Sequence, residues 1–163
     1  MNVQQTFVKI RALDSLIKES GLNKNNVPST LKDFCETLLI SPELVKGCLK
    51  LYKQGHNALA VETAFKAINN YVKTASGFSS LDGVSLMQQA LSLSNPKIKL
   101  NKLETTSEKD EQLGYMQILS GTMTGIRNPR AHEHDLKDSE RATFELLILA
   151  DHLFQKLKTN TPN

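Results

Sequence analysis

A chain of 163 residues with 20 basic and 17 acidic side chains, a formal charge of +3 and a pI near 8.8 can bury one core, and it permits a polyanion partner without demanding one. Met1-Asn2-Val3-Gln4-Gln5 is no basic-then-apolar leader and no apolar run is long enough to span a bilayer, so a soluble cytoplasmic protein with no membrane partner is expected. Cys35 and Cys48 stand at apolar helical positions without Cys-x-x-Cys spacing, which points to buried reduced thiols; no metal or cofactor site is expected, and glycine-rich phosphate loops, His-Glu-x-x-His and nucleophile-elbow sequences are lacking.

Apolar residues recur at intervals of three and four almost throughout, which predicts an all-α fold. Val3, Phe7, Ile10, Leu13 and Ile17 mark a first helix closed by Gly21, and Leu31, Phe34, Leu38 and Leu39 mark a second. Ser41-Pro42-Glu43 reads as a strong helix start, with a hydroxyl cap, proline at the first helical position and an acid favoured by the helix dipole; this third helix runs to Gly55. Ala58, Val61, Phe65, Ile68, Val72 and Ala75 form one face of a fourth helix that ends at Gly77, and a short fifth spans about Val84 to Leu93. The stretch after Pro96, which carries the one local cluster of cations (Lys97, Lys99 and Lys102), is expected to be loop or at most a small hairpin up to Asp110.

The sixth helix, from about Gln112, buries Leu113, Met116, Leu119, Met123 and Ile126, and its Gly114, Gly121 and Gly125 are read as permitting close approach of another helix. The last helix begins at Asp138 or Ser139. Its apolar band, including Phe144, Leu146, Leu147, Ile148, Leu149, Leu153, Phe154 and Leu157, is too wide for one contact, so a central helix or a subunit interface is expected, with His152 in core or interface. A homodimer built on these two helices follows from the same reading.

Between those helices lies Gly125-Ile126-Arg127-Asn128-Pro129-Arg130-Ala131-His132. Arg127 carries a permanent charge on a planar fork that fits phosphate oxygens, and His132 exchanges a proton near neutral pH, a pairing suited to RNA cleavage. Along an unbroken helix five positions rotate a side chain by roughly 500°, leaving the two about 140° apart. Pro129 is expected to end the helix near Arg127, with Asn128 capping a new turn that swings His132 back.

Four ordered blocks carry a resemblance: Gly55-His56-Asn57-Ala58-Leu59-Ala60-Val61-Glu62-Thr63-Ala64-Phe65-Lys66, Leu86-Met87-Gln88-Gln89-Ala90, Asp110-Glu111-Gln112-Leu113-Gly114, and Gly121 through Glu133. Over roughly residues 43 to 158 the chain resembles the prokaryotic and phage Ymh-type family, which is grouped with the HEPN superfamily. The resemblance implies a helical bundle, usually dimeric, with an Arg-x4-6-His motif as the active site of a metal-independent endoribonuclease; the bundle is expected over residues 41–160, and residues 1–40, outside the resemblance, are expected to form a helical extension. Arg127 and His132 occupy those positions, and Asn128 matches the polar residue that commonly follows the arginine. It also implies a setting in toxin–antitoxin, abortive-infection or anti-phage systems, and hence RNA, a second copy, and an antitoxin or other defence protein as partners.

RNA supplies its own nucleophile, the 2′-hydroxyl, so two copies of His132 across a two-fold axis could serve as base and acid while Arg127 stabilises the phosphorane and products end in 2′,3′-cyclic phosphate. Glu133 and His134 lie close by. Glu62 and Lys66, one turn apart, read as a solvent-facing ion pair or as supports near the cleft. His56 reads as a capping or packing residue at a helix start. The alternative is a non-catalytic module that binds RNA, nucleotide or a protein partner, with His132 satisfying a buried hydrogen bond.

Overall fold

The computed structural model describes residues 29–39, 41–133 and 135–159. They form six helices with no strand among them, as the periodicity requires. Helix α1 is Leu31–Leu38; α2 joins Pro42–Leu44 to Lys50–Lys53 through a π-helical turn, Val45–Leu49; α3 is Asn57–Ser76 and α4 Gly83–Ala90. Helix α5 runs from Thr106–Thr122 through a second π-helical turn, Met123–Arg127, into Asn128–His132, and α6 is Glu140–Thr159. The expected helix around Val3–Ile17 lies outside the described residues.

Helix α3 is the centre. It packs on α6, on the π turn of α2, on α4 and on the π turn of α5, and its Ala60, Val61, Ala64, Phe65, Ile68 and Val72 are fully buried. Helix α6 is shared between α3 and α1, which accounts for the width of its apolar band within one chain: Leu147, Leu153, Phe154 and Leu157 are buried and Phe144, Leu146, Ile148 and Leu149 pack at the margin. Cys35 and Leu39 of the first segment join the same core, and Cys35 and Cys48 are both buried free thiols. Burial pushes their pKa values up to about 11 and about 12, so both stay protonated at neutral pH.

Several ends differ from expectation for identifiable reasons. Ser41 does not cap its helix: its N–H donates to Asp151 Oδ1 at 2.8 Å and its hydroxyl accepts from Gln155 Nε2 at 2.9 Å, tying α2 to α6. Helix α5 starts well before Gln112 because Thr105 and Glu108 form a reciprocal capping box, each side chain bonding the other's backbone N–H. The segment after Pro96 is the expected loop, without a hairpin, and Gln112 explains why it holds its shape. That fully buried amide accepts from the Leu100 N–H and donates to the carbonyls of Leu91 and Ile98, all at 2.9 Å, so the loop's backbone groups are satisfied without a sheet.

Candidate functional site

The last turns of α5 carry the motif, and they do not break where the proline rule places the break. Asn128 is helical, at φ −63° and ψ −44°, and the chain continues as helix through His132. The π turn absorbs the proline. In an α-helix the ring of Pro129 would press on the carbonyl of Gly125, four residues back, and its missing N–H would leave a gap in the ladder. Here the Asn128 N–H reaches five residues back to the Met123 carbonyl, and Arg130 Nη1 bonds the Ile126 carbonyl at 2.7 Å. Hydroxyls loosen the approach: Ser120, Thr122 and Thr124 donate to the carbonyls of Met116, Leu119 and Ser120 at 2.8, 2.8 and 3.3 Å.

Because the helix runs through, Arg127 and His132 stay about 140° apart and Pro129 does not swing the histidine back. Arg127 turns toward α3 and α4. Its side chain is 22% exposed, Nη1 donates to Asn128 Oδ1 at 3.2 Å and stands 3.8 Å from Asp82 Oδ1, and Nε is buried without a partner. His132 is exposed and its ring makes no hydrogen bond among the described residues, which removes the reading in which it satisfies a buried group. Glu133 is exposed just past the helix, with its N–H on the Pro129 carbonyl, and His134 lies outside the described residues.

Arg130 has a different task. Its Nε and Nη2 each bond one oxygen of Asp138 at 2.7 Å, and the two side chains are only 10% and 9% exposed. The Asp138 carbonyl in turn accepts from Asn57 Nδ2 at 3.0 Å, and Tyr52 donates to the Glu140 carbonyl at 2.8 Å, so the segment after the motif is clamped onto α2 and α3. Beside this clamp, Gly55–Leu59 and Leu136–Asp138 line a concavity of about 340 Å³. His56 takes the N-cap position of α3 without a capping side-chain bond.

Three further expectations are corrected or narrowed. Glu62 is half-buried and Lys66 exposed, and no ion pair joins them. The same stripe of α3, continued at intervals of three and four, holds Asn69 and Lys73, and these are the residues that reach the Arg127 neighbourhood through Asp82. Of the two places expected for His152, core or interface, its exposure excludes the core, and its Nε2 lies 2.8 Å from the Tyr115 hydroxyl. Among the described residues no helix comes close to Gly114, Gly121 or Gly125: a Cβ at any of them would meet none of their atoms within 4 Å. Among the described residues no three His, Cys, Asp or Glu side chains gather closely enough to hold a metal ion.

One chain thus presents a loosely held guanidinium on one side of α5 and an unengaged imidazole on the other, the first able to receive an anion and the second to exchange a proton. Gly125 and His132 are seven residues apart, two helical turns, so the imidazole shares the open side of α5 with the glycines. No curated protein and no solved structure matches the chain. A family model does: residues 39–157 match the one described as "Protein of unknown function (Hypoth_ymh)", and the chain belongs to that family.

Proposed function

We propose that this protein is a metal-independent endoribonuclease of the HEPN type, its site completed by pairing two chains, and that it works in the cytoplasm as a toxin or abortive-infection effector against phage, restrained by an antitoxin or another defence-system protein. The observation that carries this reading is the state of the two motif side chains. His132 has no structural duty among the described residues, and Arg127 has donors without good acceptors. Charged and titratable groups left this free on a rigid helix are suited to a ligand and not to the fold.

In the proposed reaction one His132 removes the 2′-hydroxyl proton, that oxygen attacks phosphorus, and the bond from phosphorus to the 5′-oxygen breaks. The second His132 protonates the departing 5′-oxygen, leaving a 2′,3′-cyclic phosphate and a 5′-hydroxyl. Arg127 stabilises the charged phosphorane and Asn128, bonded to the guanidinium, keeps its fork oriented. A second copy is required because the motif supplies one imidazole per chain and the reaction uses two, one as base and one as acid. The open face of α5, with Gly114, Gly121, Gly125 and Ile118 at 47% exposure, supports the pairing surface.

The divergence of Arg127 and His132 within one chain also favours a second reading, a binding module in which only Arg127 contacts phosphate. Cleavage of RNA in EDTA separates the two. His132→Ala is expected to lower the rate by about 10²- to 10⁴-fold with affinity nearly intact, whereas Arg127→Ala lowers both and Arg127→Lys restores little. Cleavage of a 2′-deoxy-substituted site, or a His132→Ala variant as fast as wild type, refutes the ribonuclease; binding that depends on Arg127 without any cleavage establishes the module.

A further inference from the structure

Ion pairs in this protein are mostly short. Arg130–Asp138, Lys156–Glu111, Lys158–Glu43 and Arg141–Glu145 close at 2.7, 2.6, 2.7 and 2.9 Å. Among the described residues Asp82 is the exception. Lys73 Nζ stands 3.3 Å from its Oδ2, Asn69 Nδ2 3.4 Å from the same oxygen, and Arg127 Nη1 3.8 Å from Oδ1, while the carboxylate itself is 52% exposed. A carboxylate whose purpose is to fix a guanidinium grips it with two short bonds, as Asp138 grips Arg130. Asp82 instead gathers two cations and an amide at long range and satisfies none of them well.

The scaffold beneath this basin is firm. Asn69 is 2% exposed, and its Oδ1 accepts the Gly83 N–H at 2.9 Å, which locks the start of α4 against α3. Asp82 occupies the N-cap position of α4 in extended conformation, but its side chain makes no capping bond. The helix therefore does not depend on the carboxylate for its cap. Two cations against one carboxylate leave the basin with a net positive charge, and Arg127 Nε remains unpartnered. Partial burial works against charge on Asp82, but the Lys73 and Asn69 contacts and the Arg127 guanidinium outweigh it and hold the carboxyl below its ordinary value, so it is ionised at neutral pH.

We propose that Asp82 is an internal stand-in for a phosphodiester group: Lys73, Asn69 and Arg127 form a phosphate-receiving basin whose carboxylate is displaced when an RNA backbone enters. This rests on reading Arg127 as a phosphate ligand. It adds Lys73 and Asn69 as binding residues and Asp82 as a competitor that sets the affinity. A phosphodiester carries the same single charge on two free oxygens, but these are set wider apart on a tetrahedral phosphorus and are not tethered to the start of α4, so they can approach donors that Asp82 leaves at 3.3 Å and beyond.

The sign of the Asp82 effect decides the matter. The probe is a fluorescent, fully 2′-O-methylated single-stranded RNA, which cannot be cut, and the readout is anisotropy across a salt series. Asp82→Asn keeps a residue equally fit for the N-cap position and is expected to tighten binding roughly fivefold at low salt, because one competing charge is removed. Lys73→Gln is expected to weaken binding and to lower the slope of log K against log salt by about 0.7, one phosphate contact on a single strand. If Asp82 is a brace for Arg127, Asp82→Asn weakens binding instead, and the stand-in role is overturned. It is likewise overturned if Asp82→Asn or Lys73→Gln leaves binding unchanged while Arg127→Ala still weakens it. Failure of the wild-type protein to bind, with Arg127→Ala no different, refutes the underlying RNA reading together with this extension.

Discussion

Arg130→Ala tests the division of labour between the two arginines of the motif. The change removes two 2.7 Å charge-assisted bonds to Asp138 and a third 2.7 Å bond to the Ile126 carbonyl, and it strands a carboxylate that is 9% exposed. Breaking a buried ion pair by deleting one partner costs about 3–5 kcal/mol, a large part of the roughly 5–15 kcal/mol that holds a domain together. At about 2–4 °C per kcal/mol for a chain of this size, the melting temperature should fall by roughly 10 °C. Urea unfolding followed by far-ultraviolet circular dichroism gives the free energy. Arg130→Leu combined with Asp138→Leu is the informative control, since replacing both partners by apolar groups should recover most of the loss. A loss below about 1 kcal/mol for Arg130→Ala, or a double variant as unstable as the single one, refutes the clamp.

Two further outcomes follow from the geometry. Glu111 is held below its ordinary value of 4.5 by bonds from Lys156 and Asn101, and Glu43 by its bond from Lys158, so each contributes stability that is full above about pH 4.5 and is lost as the pH falls through its depressed value; Glu111→Gln should therefore destabilise at about pH 6 and have no effect at about pH 2. Equal destabilisation at both pH values, read from thermal melts, would contradict the assignment. Light scattering at micromolar concentration should give a dimer mass for wild type and a monomer mass for Ile118→Glu, whereas Gly121→Ala, whose Cβ meets nothing among the described residues, should leave the protomer intact and up to about 1 kcal/mol more stable. A wild-type monomer would remove the paired-site mechanism.

The helical architecture was legible because the apolar spacing of α3 and α6 is set by burial, and burial decides the fold. Helix ends were less legible. The early start of α5 was written in Thr105-x-x-Glu108, a local signal that the polar composition of the stretch obscured, whereas the fate of Ser41 was not local at all: its partners are Asp151 and Gln155, more than a hundred residues away. The Arg127–Asn128–His132 motif could be located from residue types alone, but its neighbours could not. Lys73 and Asp82 meet Arg127 only because α3, α4 and the end of α5 converge, and nothing in the sequence near either residue announces that meeting.

Pro129 shows why the site in particular resisted a local reading. The rule that a proline ends a helix assumes an α-helical ladder before it, and a widened turn removes both the clash and the lost bond at once. What the π turn then fixes is direction. Arg130, three residues beyond Arg127, enters the interior and is consumed by Asp138, while Arg127 is delivered to the edge of α3 and α4, where its acceptors are distant and one nitrogen has none. Two chemically identical side chains on one short helix thus differ in what the fold asks of them. The first should report on stability and hardly on phosphate, the second on phosphate and hardly on stability, because a contact to a half-exposed carboxylate contributes at most about 1 kcal/mol. Measuring both properties on both alanine variants gives four numbers, and only this crossed pattern is consistent with a motif in which one arginine builds the platform and the other is left free to act from it.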